Sequence, residues 1–160
     1  MCNDIIITMR DGGVIKAELY PQTAPITVEN FVRLIGENFF DGLIFHRVIS
    51  GFMIQGGGYT EDGEQKEAPS IKGEFAANGI SNDLKHTRGV LSMARTSFPN
   101  SASSQFFIMH QDAPHLDGQY AAFGKVTEGM EIVDKIAETK TNFMDQPTEP
   151  QVIASIRMAE

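Results

Sequence analysis

The stretch FHRVISGFMIQGGG, residues 45–58, decides how the chain is read. Two apolar runs, IFHRVI and FMIQGG, flank Ser50-Gly51, and such runs around a Gly-containing turn form a β-hairpin. The hairpin's register sets which way Arg47 points. A two-residue turn at Ser50-Gly51 places 47 opposite 54. A three-residue loop, Ser50-Gly51-Phe52, with a bulge places 49 opposite 53 and 47 opposite 55, so that Arg47, Met53 and Gln55 share one surface. The second register is preferred, because it groups the two long polar side chains and leaves Val48 and Ile54 for the core.

The run QFFIM, residues 105–109, alternates in the same way, with Gln105 and Phe107 on one face and Phe106 and Ile108 on the other. A patch of Arg47, Met53, Gln55, Gln105 and Phe107 has the composition of a ligand or peptide site, an apolar pocket with a few convergent donors. The pattern alone leaves a plainer reading open, in which both glutamines face solvent and Arg47 pairs with a carboxylate such as Glu74.

The remaining chain is also rich in strand signals. IIITM (5–9), the turn Asp11-Gly12-Gly13 and VIKAELY (14–20) read as a hairpin in which Ile15, Ala17 and Leu19 alternate with Lys16, Glu18 and Tyr20. GVLSMA, YAAFGKV and QVIASIRM are further strand candidates between Gly-, Pro-, Asn- and Asp-rich turns. Helical period occurs in TVENFVRLIGEN, with Val28, Phe31, Val32 and Ile35 on one face and Thr27 as the expected cap, and in GMEIVDKIAE, with Met130, Val133 and Ala137. Many short strands with two helices predict a barrel or sandwich whose open ends the helices plug. The polar, Gly-rich stretch 57–87 is long for a connection and reads as a functional loop.

With 160 residues and 41 % hydrophobic content, a single domain spanning 1–160 is expected. A formal net charge of −8 repels nucleic acid and anionic membranes, so neither is an expected partner. The lone Cys2 fits a reducing compartment and is a poor nucleophile at the extreme terminus. The N-terminus has no basic n-region, and its apolar run is too short for a signal peptide or a spanning helix, so a cytoplasmic protein is expected.

Cofactor and metal chemistry find no support in the pattern. His46, His86, His110 and His115 show no metal-ligand spacing. Gly56-Gly57-Gly58 lacks the continuation of a phosphate loop and reads as a flexible turn. Ser92, Ser103 and Ser104 lack a nucleophile-elbow context, and Asp117-Gly118 reads as a turn on a solvated face. Any reaction must proceed without a cofactor or a covalent nucleophile.

Together FHRVISGFMIQGGG, SMARTSFPNSASSQFFI and HLDGQYAAFGKVTEGMEIVDKI, with LYPQTAPITVENFVRL upstream and LKHTRGVL between, resemble the cyclophilin family of peptidyl-prolyl cis-trans isomerases almost end to end. The resemblance implies a mainly β fold, a closed eight-stranded antiparallel barrel capped by two α-helices, with the site on its outer surface. It implies Arg47 as the catalytic arginine with Gln55 orienting it or binding backbone. It also implies Phe52, Met53, Phe107 and Leu116 as walls of a proline pocket, and Gln55, Ala94, Arg95 and Gln105 as the groove for the peptide backbone. His115 stands where many members carry Trp and Tyr120 where many carry His, both as substrate-binding positions. Arg95 replaces a common Asn, and the 57–73 region gives a compact, prokaryotic-type look.

The function so implied is isomerisation of Xaa-Pro bonds in peptides and in unfolded or folding proteins, assisting folding, by a monomer without cofactor. Loss of the Trp implies weakened binding of cyclosporin. Two other readings stand beside it: a proline-peptide binding module with little turnover, and a small-molecule barrel with an internal cavity.

Overall fold

The computed structural model describes residues 3–159; Cys2 lies outside the described residues. Eight strands, β1 (Asp4–Met9), β2 (Val14–Leu19), β3 (Leu43–Ile49), β4 (Met53–Thr60), β5 (Val90–Met93), β6 (Phe106–Met109), β7 (Ala122–Glu128) and β8 (Ile153–Met158), form one antiparallel sheet. Its order is β3-β4-β6-β5-β7-β2-β1-β8. The end strands meet through a bridge between Ile44 and Val152, and the Gly42 and Phe45 amides donate to Ile153 O (2.8 Å) and Gln151 O (3.0 Å). The sheet is thus a nearly closed barrel, sealed by a few bonds in place of a full ladder.

Alternation builds the interior. Ile15, Ala17 and Leu19 on β2 are buried while their neighbours are exposed, as the sequence pattern requires. Helix α1 (Pro25–Gly36) presses Phe31 onto Phe40, Phe106 and Phe123 at ring-centroid distances of 4.9, 5.3 and 5.1 Å, with Phe45 against Phe106 at 5.9 Å. Aromatic pairs of this kind contribute about 0.5–1.5 kcal/mol each beyond burial. These rings fill the barrel, which removes the reading of an internal ligand cavity. Helix α2 (Met130–Ala137) buries Val133, Ile136 and Ala137.

A second apolar cluster lies on the outer face of the sheet: Met53, Val90, Phe107, Met109 and Ala122, covered by Ala113 and Leu116 from the 113–120 segment. The cover stops short of Arg47, and the edge of this cluster is where a pocket opens.

Two local expectations fail for tertiary reasons. Thr27 does not cap α1: the helix begins at Pro25, whose ring suits the first helical turn, and Thr27 is buried within it. The cap comes from a distant loop, since the buried Glu74 carboxylate accepts both the Thr27 amide (2.6 Å) and its hydroxyl (2.8 Å). The triple glycine is not a flexible turn but the middle of β4. A side chain at Gly56 would lie 2.6 Å from Ile44 O, and one at Gly57, where φ is +92°, 2.8 Å from Ser104 O.

Candidate active site

The hairpin takes the three-residue loop. Arg47 pairs with Gln55, Val48 with Ile54 and Ile49 with Met53, and Gly51 adopts φ +81° in the turn. Val48 and Ile54 are buried in the core, which forces Arg47 outward. On the other side of β4, Gln55 pairs with Phe107 of β6. Phe107, Gln55 and Arg47 therefore form a row across three adjacent strands.

Along this row runs a chain of hydrogen bonds. Gln55 Nε2 donates to Gln105 Oε1 at 3.1 Å, and Arg47 Nη1 donates to Gln55 Oε1 at a long 3.4 Å. Among the described residues Arg47 pairs with no carboxylate; Glu74 is committed to α1. The guanidinium is exposed, so solvent rather than a protein group among the described residues meets its remaining donors.

The pocket beside Arg47 has a volume of about 130 Å³ and is walled by Phe52, Met53, Phe107, Leu116 and Tyr120, with Gln55, Ala94 and Arg95 closing the polar side. Phe107 is held edge-on by Tyr120 at 5.7 Å. A larger cleft of about 580 Å³ continues from Gln55 and Ala94 past Gln105, between the 65–70 and 101–105 segments. Of the site residues expected from sequence, Gln105 lines this cleft and not the pocket, and His115 lines neither. The His115 ring is exposed on a 3₁₀ turn, 5.8 Å from the Phe52 ring, at the rim.

Several supports escape a sequence reading. Arg95 lines both the pocket and the cleft while its side chain is held from behind: its guanidinium lies 4.7 Å from the rings of both Phe75 and Tyr120, and Nη2 donates to Gln119 O at 2.6 Å. It clamps Tyr120 in place. Beneath Phe107, His86 stacks at 6.0 Å and joins Asp117 Oδ1 through Nδ1 (3.0 Å) and Ser92 Oγ through Nε2 (2.9 Å). Burial pushes the His86 pKa down despite the Asp117 carboxylate, and burial of Asp117 is outweighed by its bonds from His86, which hold it low. The serine–histidine–aspartate order is structural, because Ser92 is wholly buried and no substrate carbonyl reaches it.

His110 fixes the turn carrying Phe52. Its Nδ1 accepts the Gly51 amide at 2.8 Å, its own amide donates to Phe52 O at 2.8 Å, and its Nε2 meets Asp134 on α2 at 3.2 Å. His86 and Asp117, like His110 and Gly51, are far apart in sequence, and no local signal marks either pair. Next to Arg47, burial and the Arg47 charge push His46 down to about 4, so its ring is neutral at pH 7.

What this arrangement offers is an apolar socket for one ring, a permanently charged donor at its mouth and an amide-lined cleft beside it. It holds no activated nucleophile.

The chain as a whole is similar to known proteins. The sequence model of the family described as cyclophilin type peptidyl-prolyl cis-trans isomerase/CLD matches residues 5–158. The peptidyl-prolyl cis-trans isomerase A of Dickeya dadantii is 44% identical over 163 residues, covering 96% of this chain and 83% of the relative. The isomerase B of Escherichia coli is 41% identical over 160 residues, covering 92% and 95%. Among solved structures, a cyclophilin-type isomerase of Cryptosporidium parvum, crystallised in the presence of the dipeptide Ala-Pro, superimposes with a TM-score of 0.83 at 30% identity, covering 98% of this chain and 99% of that one.

Proposed function

Since the chain belongs to the cyclophilin-type peptidyl-prolyl cis-trans isomerase family and is an isomerase of Xaa-Pro peptide bonds, we propose that Arg47 is its catalytic residue and that Phe52, Met53, Phe107, Leu116 and Tyr120 hold the proline ring. The observation that carries this reading is the row Phe107–Gln55–Arg47, which sets a free guanidinium at the mouth of an apolar pocket sized for one small ring.

Rotation about an Xaa-Pro bond breaks no covalent bond, but it destroys amide resonance against a barrier of about 18–20 kcal/mol. As the amide twists, the prolyl nitrogen becomes pyramidal and regains a lone pair. Arg47 donates a hydrogen bond to that lone pair, an interaction absent in either planar state, so it lowers the barrier selectively. A guanidinium stays charged at every relevant pH, which suits this role. Millisecond turnover needs about four decades of acceleration, or roughly 5.5 kcal/mol. One well-placed donor supplies about 3–4 kcal/mol, and replacing water around the amide by the apolar walls supplies the rest.

Gln55 orients Arg47, while Gln105 and the Ala94–Arg95 backbone anchor the peptide along the adjoining cleft. His115 contributes to substrate binding from the rim, where its ring stands 5.8 Å from that of Phe52. The substrates are proline-containing segments of peptides and of unfolded or folding proteins, acted on in the cytoplasm by a monomer in which residues 1–160 work as one domain. Cyclosporin binds weakly, because an exposed imidazole replaces the broad apolar face of an indole at the rim.

Titration with a short Ala-Pro-containing peptide tests the pocket. Amide resonances of Arg47, Gln55 and Phe107 are expected to shift, and Phe107→Ala to weaken binding at least ten-fold. Shifts confined to another surface, or unchanged affinity in Phe107→Ala, would place the proline elsewhere.

A further inference from the structure

Phe143 and Met144 stand 95% and 60% exposed at the tip of a turn that follows α2. Single exposed apolar residues are common on protein surfaces, but this pair is displayed by a turn built to hold it. Asn142 Oδ1 accepts the amides of Met144 (2.8 Å) and Gln146 (3.1 Å), and Asn142 O accepts that of Asp145 (3.0 Å). Asn142 Nδ2 donates to Gln146 Oε1 at 3.1 Å, and Asp145 takes a left-handed conformation with φ 63°. A non-glycine residue in that region carries a conformational cost, so the turn is specified and not slack.

Its position is informative. The Val48 amide donates to Asp145 O at 2.8 Å, along the edge of β3 that does not pair with β4. The turn thus adds the next step to the row Phe107, Gln55, Arg47, at a strand spacing of about 4.8 Å. Phe143 and Met144 come within roughly 12 Å of the Val48 backbone, given the reach of two residues. They lie on the far side of Arg47 from Gln105 and the large cleft. A polypeptide that seats its proline against Phe107 and runs one way along Gln105 leaves Arg47 toward this tip in the other direction.

We propose that Phe143 and Met144 form an apolar contact for the substrate chain, selecting polypeptides with a large apolar side chain a few residues from the proline, on the side opposite the segment held along Gln105. This inference rests on the pocket assignment above and extends it. Its occupant is a segment of an unfolded protein, which exposes the apolar side chains that a folded surface hides, and the Val48–Asp145 hydrogen bond fixes the turn to the strand that carries Arg47.

The test compares two proline peptides, one with alanines on both sides and one with leucines two to four residues from the proline on both sides. Each is assayed with wild type and with the double variant Phe143→Ser/Met144→Ser. Both positions are exposed, so the variant is expected to keep the wild-type Tm. Wild type is expected to show about a five-fold higher kcat/KM on the leucine peptide, the variant no preference, and the two proteins equal rates on the alanine peptide. A preference that persists in the variant, or is absent from wild type, overturns the proposal. So does a variant that differs from wild type only in self-association at assay concentrations. Failure of wild type to accelerate even the alanine peptide would instead sink the pocket assignment, and this proposal with it.

Discussion

Gly58→Ala is the substitution that best isolates the geometry of the site. A Cβ at 58 would lie 2.5 Å from Gln105 Cγ, 2.6 Å from its Nε2 and 2.7 Å from its Cδ. All three atoms belong to one flexible side chain, so Gln105 must swing away while the backbone stays. The alanine reduces unfolded-state freedom by about 0.4–1 kcal/mol, which offsets most of the roughly 1 kcal/mol lost with the Gln55–Gln105 hydrogen bond. Tm should therefore change by no more than about 3 °C. Activity should respond more, because Gln55 loses its anchor and Arg47 its oriented partner. One side-chain hydrogen bond of about 0.5–1.5 kcal/mol corresponds to a loss of about 2- to 10-fold in kcat/KM. The assay is kcat/KM on a short Xaa-Pro peptide for wild type, Gly58→Ala, Gln105→Ala and the double variant. Non-additivity is expected, since both single changes remove the same bond. Full wild-type activity in Gly58→Ala, or strict additivity in the double variant, would refute the view that Gly58 makes room for a working Gln105.

Gly57→Ala should behave differently, lowering the denaturant midpoint by more than Gly58→Ala, because its Cβ meets backbone at φ +92°; equal midpoints would count against the packing described. Glu74→Ala strips the buried acceptor from the Thr27 amide, and urea unfolding should show a loss of about 1–3 kcal/mol; an unchanged midpoint would mean that the cap is idle. His46, held near 4 when folded against 6.5 when unfolded, binds a proton more readily in the unfolded chain between those values. Its contribution is therefore intact above pH 6.5 and declines as pH falls toward 4, by about 1–2 kcal/mol after allowing for its partial exposure. His46→Gln should flatten that part of the stability–pH curve, and an identical slope would assign the acid sensitivity to another group.

The fold was readable where periodicity is local. Eight strand runs and two helical faces emerge from alternation at β2 and the i, i+3, i+4, i+7 pattern at α1, and the register that turns Arg47 toward Gln55 follows from keeping Val48 and Ile54 inside. Pattern could not tell a barrel from a sandwich; closure at Ile44 and Val152 is a long-range event. The glycines of β4 looked like a turn because their reason is the close approach of Ile44, Ser104 and Gln105, which no window of sequence contains. Likewise Glu74 caps a helix 47 residues away and Asp117 meets a histidine 31 residues away. Arg95 lines the groove, but the packing of its side chain against Phe75 and Tyr120 joins residues that no local window of sequence contains.

The central claim is that the Arg47 guanidinium stabilises the twisted amide. Exchange NMR of cis/trans interconversion in a short Xaa-Pro peptide, with catalytic amounts of wild type or Arg47→Ala, tests it most directly. The account predicts fast exchange with wild type and a loss of about two to three orders of magnitude in Arg47→Ala, with the fold and peptide-induced shifts retained. Equal exchange rates for the two proteins would contradict it.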